Sequence, residues 1–153
     1  MLYIHGSVGS HFLIEIESGN PVCISVMLTD ALVVAKSAFH HSVNYRSVII
    51  FTNAIKHDNF DEKALFFKDL TNKMVPNSWD YLRPMKANEV NKTTLLSFEI
   101  AEASARMRTV MPNDDEEDKN LPIWSGIIPI PSKRLTPIGD ENSAEIEIPG
   151  HLR

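Results

Sequence analysis

Polar side chains that could bind an anion or transfer a proton are concentrated in residues 37–47. This stretch contains two histidines, an arginine, an asparagine, a tyrosine and three serines. It lies between two apolar runs, residues 31–35 and residues 48–51, and both runs are typical of strands. Binding groups are often held on loops and edges of a rigid sheet. The sequence therefore predicts that this stretch forms one half of an anion- or cofactor-binding site.

The second half is predicted in residues 5–11, where the sequence is HGSVGSH. These residues follow a short strand-like start and precede helically spaced apolar residues, so they resemble a turn that leads into a helix N-terminus. Free backbone N–H groups and the helix dipole attract anions at such a position. The alternative is that Ser7 or Ser10 is only the cap of the helix and that Gly6 and Gly9 are only turn residues. The segment matches neither of the standard glycine-rich nucleotide motifs.

The adjacent residues His40 and His41 do not predict a metal site. Metal ligands must converge on one ion, whereas neighbouring residues of a strand point to opposite faces. In one interpretation, one of the two histidines is packed and the other is solvated. In the other interpretation, one of them contacts a cofactor or a phosphate. Arg46 likewise either pairs with a carboxylate or binds a phosphate, which its planar fork of donors suits.

Composition narrows the class of protein. The net charge is -5, and residues 114–118 alone carry five negative charges. The remainder is nearly balanced, which argues against a nucleic-acid binder. The single cysteine excludes an intrachain disulfide and fits a reducing, cytoplasmic or nuclear compartment. No apolar run approaches the roughly 20 residues of a membrane span, and the start lacks the features of a secretory signal.

Hydrophobic periodicity predicts a mainly β domain with accessory helices. Helices are expected to start near Phe12 and at Phe60, the second ending before Pro76. Turns are expected at residues 5–10 and at Thr29-Asp30. Strands are predicted at residues 2–4, 22–28, 32–35, 46–54, 94–100, 103–110 and 121–130. The domain is expected to cover residues 1–131, followed by an irregular tail in residues 132–153, where prolines and polar residues are frequent.

Four motifs occur in order along the chain: LYIHGS, SAFHHSVNYRSV, EASARMR and DDEED with PIWSGIIP. Together they resemble the pyridoxamine 5'-phosphate oxidase-related flavin-nucleotide-binding proteins, over about residues 2–130. The resemblance implies the FMN-binding split barrel, an antiparallel Greek-key barrel that usually forms a homodimer with FMN at the interface. Relatives carry a further helix and the first barrel strands before the segment that matches Leu2, so the barrel is expected to be incomplete at the N-terminus.

The resemblance also implies roles for residues, with FMN as the cofactor. It implies phosphate and ribityl contacts from Ser7, Ser10, His11, Arg46 and Ser47; a pocket lined by His40, His41 and Tyr45; and Trp124 near the cofactor or the dimer seam. His11 stands where the oxidases have an arginine, so oxidation of pyridoxamine phosphate itself is the less expected activity.

The sequence thus predicts an FMN-binding protein of this family, with flavin-dependent oxidation or reduction of an unknown small substrate as the implied activity. No catalytic residue is assigned, because in a flavoprotein the chemistry belongs to the cofactor. Two alternatives stay open. One is a truncated, non-enzymatic relative that has lost FMN binding, and the other is a binder of haem or a deazaflavin in the same cleft.

Overall fold

The structure, a computed structural model, describes residues 1–153. Its strands form two antiparallel sheets, with the orders β1-β5-β4 and β6-β3-β2-β7. The strands are β1 Leu2–Ser7, β2 Val22–Val34, β3 Ser42–Thr52, β4 Ala54–His57, β5 Thr93–Phe98, β6 Glu102–Arg108 and β7 Gly126–Pro129. The helices are α1 His11–Glu17, α2 Phe60–Met74 and α3 Ala87–Asn91. None of the helices combines the length and the apolar composition that crossing a membrane requires.

The chain divides into two compact units, each built around one sheet. The first unit contains the three-stranded sheet and consists of Met1–Pro21, Asn53–Glu99 and Arg134–Arg153. The second contains the four-stranded sheet and consists of Val22–Thr52 and Ile100–Lys133. The predicted division into a domain of residues 1–131 and a tail of residues 132–153 stays a prediction.

Strand β5 forms the core of the first unit. It pairs with β1 on one side and with β4 on the other. Its apolar residues follow one another without alternation, which is typical of a strand covered on both faces. Leu95, Leu96 and Phe98 are accordingly buried. Helix α1 packs near this sheet through the buried residues Leu13 and Ile16.

Local capping explains where the two longer helices begin. The Ser10 side chain accepts a hydrogen bond from the Leu13 N–H and starts α1. The Asn59 side chain accepts from two backbone N–H groups in the first turn of α2. These oxygens satisfy donors that a helix N-terminus otherwise leaves free. Both predicted helices are confirmed, including the end of α2 at Met74, just before Pro76.

The second unit is organised by a long antiparallel pairing between β2 and β3. The register shifts once, between Thr29 and Ala31, so that Asp30 is an extra residue that forms a bulge. Because a bulge puts two residues opposite one, side chains before and after it alternate in opposite phase. The predicted hairpin at Thr29-Asp30 is therefore wrong: β2 is one continuous, bulged strand.

Three further expectations are corrected. Strand β1 continues to Ser7, so the turn before α1 is shorter than predicted. The polar stretch is not a strand edge over its whole length, because residues from Ser42 onward lie within β3, between β2 and β6. The last strand is confined to Gly126–Pro129, since only these residues pair with the end of β2.

Candidate functional site

The two histidines of the polar stretch lie at the connection between β2 and β3, in the second unit. Residues Ala38–His40 form a single turn capped by the Ser37 hydroxyl. The His40 Nε2 lies 3.2 Å from a carboxylate oxygen of Asp115. The His41 Nδ1 lies 3.1 Å from the Ser37 carbonyl oxygen. Both rings thus have partners within the same unit, and their contact with a cofactor stays a prediction.

Lys36 forms hydrogen bonds that hold the acidic segment, residues 114–118, next to this connection. The Lys36 backbone N–H donates to the Asp114 carboxylate at 2.6 Å. Its ammonium group donates to the carbonyl oxygens of Lys119 and Leu121, at 2.6 and 2.8 Å. Further along, the Trp124 ring lies against Gly126, where an added Cβ would come within 2.7 Å of the ring. The remaining surface of Trp124 is exposed, and its role near a cofactor stays a prediction.

Arg46 forms a bidentate ion pair with the bulge residue Asp30. Its Nη2 and Nε donate to the two carboxylate oxygens at 2.8 and 3.0 Å. This hydrogen-bonded guanidinium lowers the pKa of the Asp30 carboxyl, and the carboxylate raises the pKa of Arg46 in turn. Pairing with a carboxylate was one of the two roles expected for Arg46. A phosphate contact stays a prediction, and it requires Arg46 to exchange Asp30 for the ligand.

Strand alternation places Tyr45 and Ser47 on the face opposite to Arg46. We call this the open face of the four-stranded sheet, because the other side carries the buried residues Asn44 and Ile50. Cross-strand register gives the open face these members: Cys23, Ser25, Met27 and Thr29 of β2; Tyr45, Ser47, Ile49 and Phe51 of β3; Glu102, Ser104, Arg106 and Arg108 of β6.

Arg106 and Arg108 provide positive charge on the open face that the sequence analysis did not assign to the site. Arg106 lies opposite Ser47, and Arg108 lies opposite Tyr45. Both arginines are exposed, and neither side chain forms a hydrogen bond or an ion pair. Neither arginine pairs with the acidic segment, in which Asp114 and Asp115 instead contact the connection after β2. Their spacing of two residues in an extended strand places both side chains on one face.

The other predicted residues, Ser7, Ser10 and His11, belong to the first unit. The Ser7 hydroxyl oxygen accepts from the Gly9 N–H at 3.2 Å, and the Ser10 hydroxyl caps α1. His11 is the exposed first residue of that helix. Ser10 therefore has the capping role that the sequence analysis gave as the alternative, whereas the Ser7 side chain forms a local hydrogen bond in the turn. Whether they also contact a phosphate stays a prediction.

The first unit also contains a histidine that links a serine to a carboxylate. The His57 Nε2 lies 2.8 Å from the Ser97 hydroxyl, and its Nδ1 lies 3.2 Å from the Glu62 carboxylate. These residue types form nucleophilic triads in hydrolases. Ser97, however, is completely buried near the end of β5, so no substrate reaches its hydroxyl. The arrangement satisfies a buried polar group and is not a catalytic site.

A cleft of about 430 Å³ lies beside α2 and α3 in the same unit. It is lined by Phe60, Ala64, Trp79, Asp80, Leu82, Arg83, Pro84, Met85 and Val90. The Arg83 guanidinium is held by the Glu89 carboxylate at 2.6 Å. None of the residues predicted to bind a cofactor lines this cleft.

Comparison with known proteins identifies the family. The sequence pattern described as pyridoxamine 5'-phosphate oxidase matches residues 1–107, which is more than half of the chain. The chain belongs to the pyridoxamine 5'-phosphate oxidase family. The predicted membership is therefore confirmed. No curated protein matches the chain.

Two solved structures extend the comparison for this pyridoxamine 5'-phosphate oxidase family member. The flavocytochrome Anf3 from Azotobacter vinelandii is 36% identical, with a TM-score of 0.86, over 98% of this chain and 70% of that one. The FAD and haem binding protein from Mycobacterium smegmatis is 28% identical, with a TM-score of 0.88, over 98% of this chain and 74% of that one. The predicted split-barrel fold, built mainly from antiparallel strands, is confirmed.

Proposed function

We propose that this family member binds a flavin nucleotide on the open face of its four-stranded sheet. The observation that carries the proposal is the division of that face into an apolar part and a cationic part. Met27, Ile49 and Phe51 present exposed apolar surface, which suits the flat isoalloxazine ring. Arg106 and Arg108 add unpaired positive charge on the same face, and charged forks of this kind favour phosphate.

FMN, the cofactor predicted from the sequence, is the smallest flavin nucleotide with both a ring system and a phosphate. When bound, the flavin would supply hydride or electron transfer. The residues of the open face would orient the ring and hold the phosphate. We therefore propose an FMN-dependent oxidoreductase activity on a small substrate, with no catalytic side chain assigned. The homodimer implied by the resemblance and the cytoplasmic location favoured by the single cysteine stay part of this proposal.

The decisive experiment is a titration of the purified chain with FMN, followed by quenching of flavin fluorescence. Wild type is compared with Ile49→Ser, which removes an apolar side chain from the open face. Val26→Ser is the matched control: Val26 is exposed to a similar extent, 43% against 41% for Ile49, but lies on the opposite face because it pairs with Val48. We expect Ile49→Ser to weaken FMN binding about tenfold, from roughly two lost CH₂ contacts.

Two results would count against the proposal. Absence of FMN binding to the wild-type chain would refute the proposed function. An equal loss of FMN affinity in both serine variants would exclude the open face as the binding site. Size-exclusion chromatography with detection at the flavin absorbance tests the dimer, since a flavin peak at monomer size would contradict it.

Arg46 requires a separate test, because it lies on the face opposite to the open face and Asp30 already occupies its donors. A phosphate contact of Arg46 would therefore place the ligand on that other face. As a phosphate ligand, Arg46 would donate a charge-assisted hydrogen bond to the phosphate. Arg46→Ala should then weaken FMN binding, and Asp30→Asn should strengthen it by releasing the guanidinium. Unchanged affinity in both variants would remove Arg46 from the site.

Haem binding is the second candidate, and the two similar structures favour it because one is a flavocytochrome and the other binds FAD and haem. A histidine that held the haem iron would need an accessible imidazole nitrogen. His5 meets this requirement: its ring is exposed, has no hydrogen-bond partner and lies 5.9 and 5.5 Å from the rings of Phe66 and Phe67. His5 would ligate the iron, and haem would supply electron transfer.

The haem candidate is tested by adding hemin to the apoprotein and recording the Soret band. Wild type should show a shifted band that His5→Ala abolishes. His41→Ala is the control, since the His41 ring nitrogen already contacts the Ser37 carbonyl oxygen. An identical band in all three proteins would exclude His5 as the ligand, and no shift in wild type would exclude haem.

A further inference from the structure

The cleft beside α2 and α3 combines aromatic surface with an unpaired carboxylate. We propose that it binds a small organic amine in its protonated form, with the ammonium group beside Asp80 and the apolar body of the ligand against Phe60 and Trp79. None of the residues assigned to the flavin or to haem lines this cleft. The proposed amine site is therefore independent of the proposed function.

The lining of the cleft is mainly apolar. Phe60 is the first residue of α2, and Trp79 belongs to the single turn Trp79–Tyr81. The volume of about 430 Å³ falls within the range of about 300–1,000 Å³ for small-molecule sites, which are lined by hydrophobic and aromatic side chains with a few polar groups. Aromatic rings also attract cations to their faces. The cleft therefore suits an apolar ligand that carries a positive charge.

Asp80 supplies the negative charge of the cleft. It is exposed, and its carboxylate forms no hydrogen bond or ion pair. A carboxylate of this kind is available to accept charge-assisted hydrogen bonds from an ammonium group. Trp79, the residue before it, lines the same cleft. A ligand ammonium group beside Asp80 therefore lies close to an aromatic side chain as well.

Arg83, the cation in the lining, is already neutralised. Its Nη1 and Nη2 donate to the two Glu89 carboxylate oxygens at 3.1 and 2.6 Å. Nη1 also donates to the Pro84 carbonyl oxygen at 3.0 Å. Neither Lys63 nor Lys86 lines the cleft. The cleft therefore presents a net negative charge to a ligand.

The N-terminus of α2 does not make the cleft an anion site. The Asn59 Oδ1 accepts hydrogen bonds from the N–H groups of Asp61 and Glu62, at 2.9 and 3.1 Å. These N–H groups are among the donors that the start of a helix otherwise offers to an anion. The side chains of Asp61 and Glu62 add negative charge in the same turn. A cationic ligand is therefore favoured over an anionic one.

The test compares three ligands of similar size and different charge on the full chain: phenethylamine, which is cationic at neutral pH, the neutral phenethyl alcohol and the anionic hydrocinnamate. Binding is followed by NMR through the indole N–H signals of Trp79 and Trp124. Trp79 reports on the cleft, whereas Trp124 belongs to the second unit and is the internal control. We expect phenethylamine to shift the Trp79 signal alone.

The expected preference for the amine over the alcohol is about tenfold in affinity. An exposed ion pair and a cation–π contact each contribute about twofold to fivefold. Asp80→Asn keeps the size of the side chain, and it should weaken phenethylamine binding about twofold to fivefold without affecting the alcohol. Phe60→Leu keeps apolar surface but removes a ring, and it should lower the preference for the amine by a similar factor. Melting curves verify that both variants are folded.

Asp69→Asn is the matched control, because it removes a negative charge from an exposed position of α2 that does not line the cleft. Its affinity for phenethylamine should equal that of wild type, and an equal loss in Asp69→Asn and Asp80→Asn would assign the effect to net charge and overturn the site.

Three further results would overturn the amine site. One is an equal affinity for the alcohol and the amine, and another is a higher affinity for hydrocinnamate, which would assign recognition to Arg83. The third is a Trp79 signal that none of the ligands shifts, or that shifts no more than the Trp124 signal. Failure of the FMN titration would refute the flavin proposal and leave the amine site standing, so the two proposals fail separately.

Discussion

The Asn44 side chain joins the segment after β6 to the four-stranded sheet by hydrogen bonds, and we expect its replacement to lower the stability. The amide Nδ2 donates to the Val110 carbonyl oxygen at 2.9 Å, and Oδ1 accepts from the Val110 N–H at 3.1 Å. The side chain is only 4% exposed. It therefore replaces the backbone pair that a neighbouring strand would otherwise provide.

Asn44→Ala removes both hydrogen bonds and leaves two Val110 backbone groups without these partners. Each bond contributes about 0.5–1.5 kcal/mol net, so the two together give about 1–3 kcal/mol. Val110 itself is 43% exposed, and water therefore recovers part of the loss. We expect the free energy of unfolding to fall by about 2 kcal/mol, which lowers the melting temperature by about 4–8 °C for a chain of this length.

The Asn44→Asp variant allows the two hydrogen bonds to be tested separately, because only one of them depends on pH. The introduced carboxylate still accepts from the Val110 N–H, but it has lost the donor and faces the Val110 carbonyl oxygen. Burial and this repulsion raise the pKa of the introduced carboxyl above its ordinary value of about 3.9. Only the protonated form can donate, so stability is lost as the pH rises through the raised pKa and is regained at lower pH.

The assay is thermal unfolding, followed by circular dichroism at a series of pH values between 7 and about 4. The lower limit lies near the ordinary pKa of a carboxyl group. Asn120→Ala is the control, because Asn120 is exposed in the same unit and forms no hydrogen bond. The reasoning is refuted if Asn44→Ala melts at the same temperature as the control. It is also refuted if the difference in melting temperature between wild type and Asn44→Asp grows as the pH falls.

Three further perturbations test separate parts of the first unit. The Arg83 hydrogen bond lowers the pKa of Glu89 from 4.5 to about 2, so this pair stabilises the fold above pH 4.5 and its contribution is lost as the pH falls towards 2. The melting difference between wild type and Arg83→Ala should shrink over that window, and a constant difference would contradict the pairing. Gly6→Ala should lower the free energy of unfolding by about 1–3 kcal/mol through overpacking, because the added Cβ would lie 2.7 Å from a buried leucine of α1. Gly9→Ala should melt like wild type, because the nearest atom to its Cβ would be 3.8 Å away. Equal melting temperatures of the two variants would show that α1 shifts freely. Asn59→Ala should cost about 1 kcal/mol in unfolding free energy by removing the cap of α2, and Asn59→Ser should restore most of it, so an equal loss in both would exclude the cap as the cause.

The helices could be predicted because their signals are local. The apolar spacing, the cap at Asn59 and the stop at Pro76 all lie within or beside α2. The bulge in β2 could not be predicted in this way. Thr29-Asp30 has the composition of a turn, and only its pairing with β3 shows that the strand continues.

The candidate site was predictable in part for the same reason. A period of two already separates Arg46 from Tyr45 and Ser47 once the strand is known to include all three. The partner of Arg46 could not be inferred, because Asp30 meets it only across the β2–β3 pairing. The free state of Arg106 and Arg108 depends on where the acidic segment goes, and Asp114 contacts Lys36 across 78 positions of sequence.

The bulge at Asp30 gives β2 one position at which the strand tolerates a change of length. Thr29 lies opposite Tyr45 and Ala31 lies opposite Asn44, so a chain without Asp30 would pair these residues in regular alternation. Met27 would stay on the open face and Val33 would stay in the interior. Loss of a residue elsewhere in β2 would instead turn the side chains between that position and Asp30 to the opposite side. The bulge residue is therefore the place in β2 where a single deletion leaves both faces of the sheet intact.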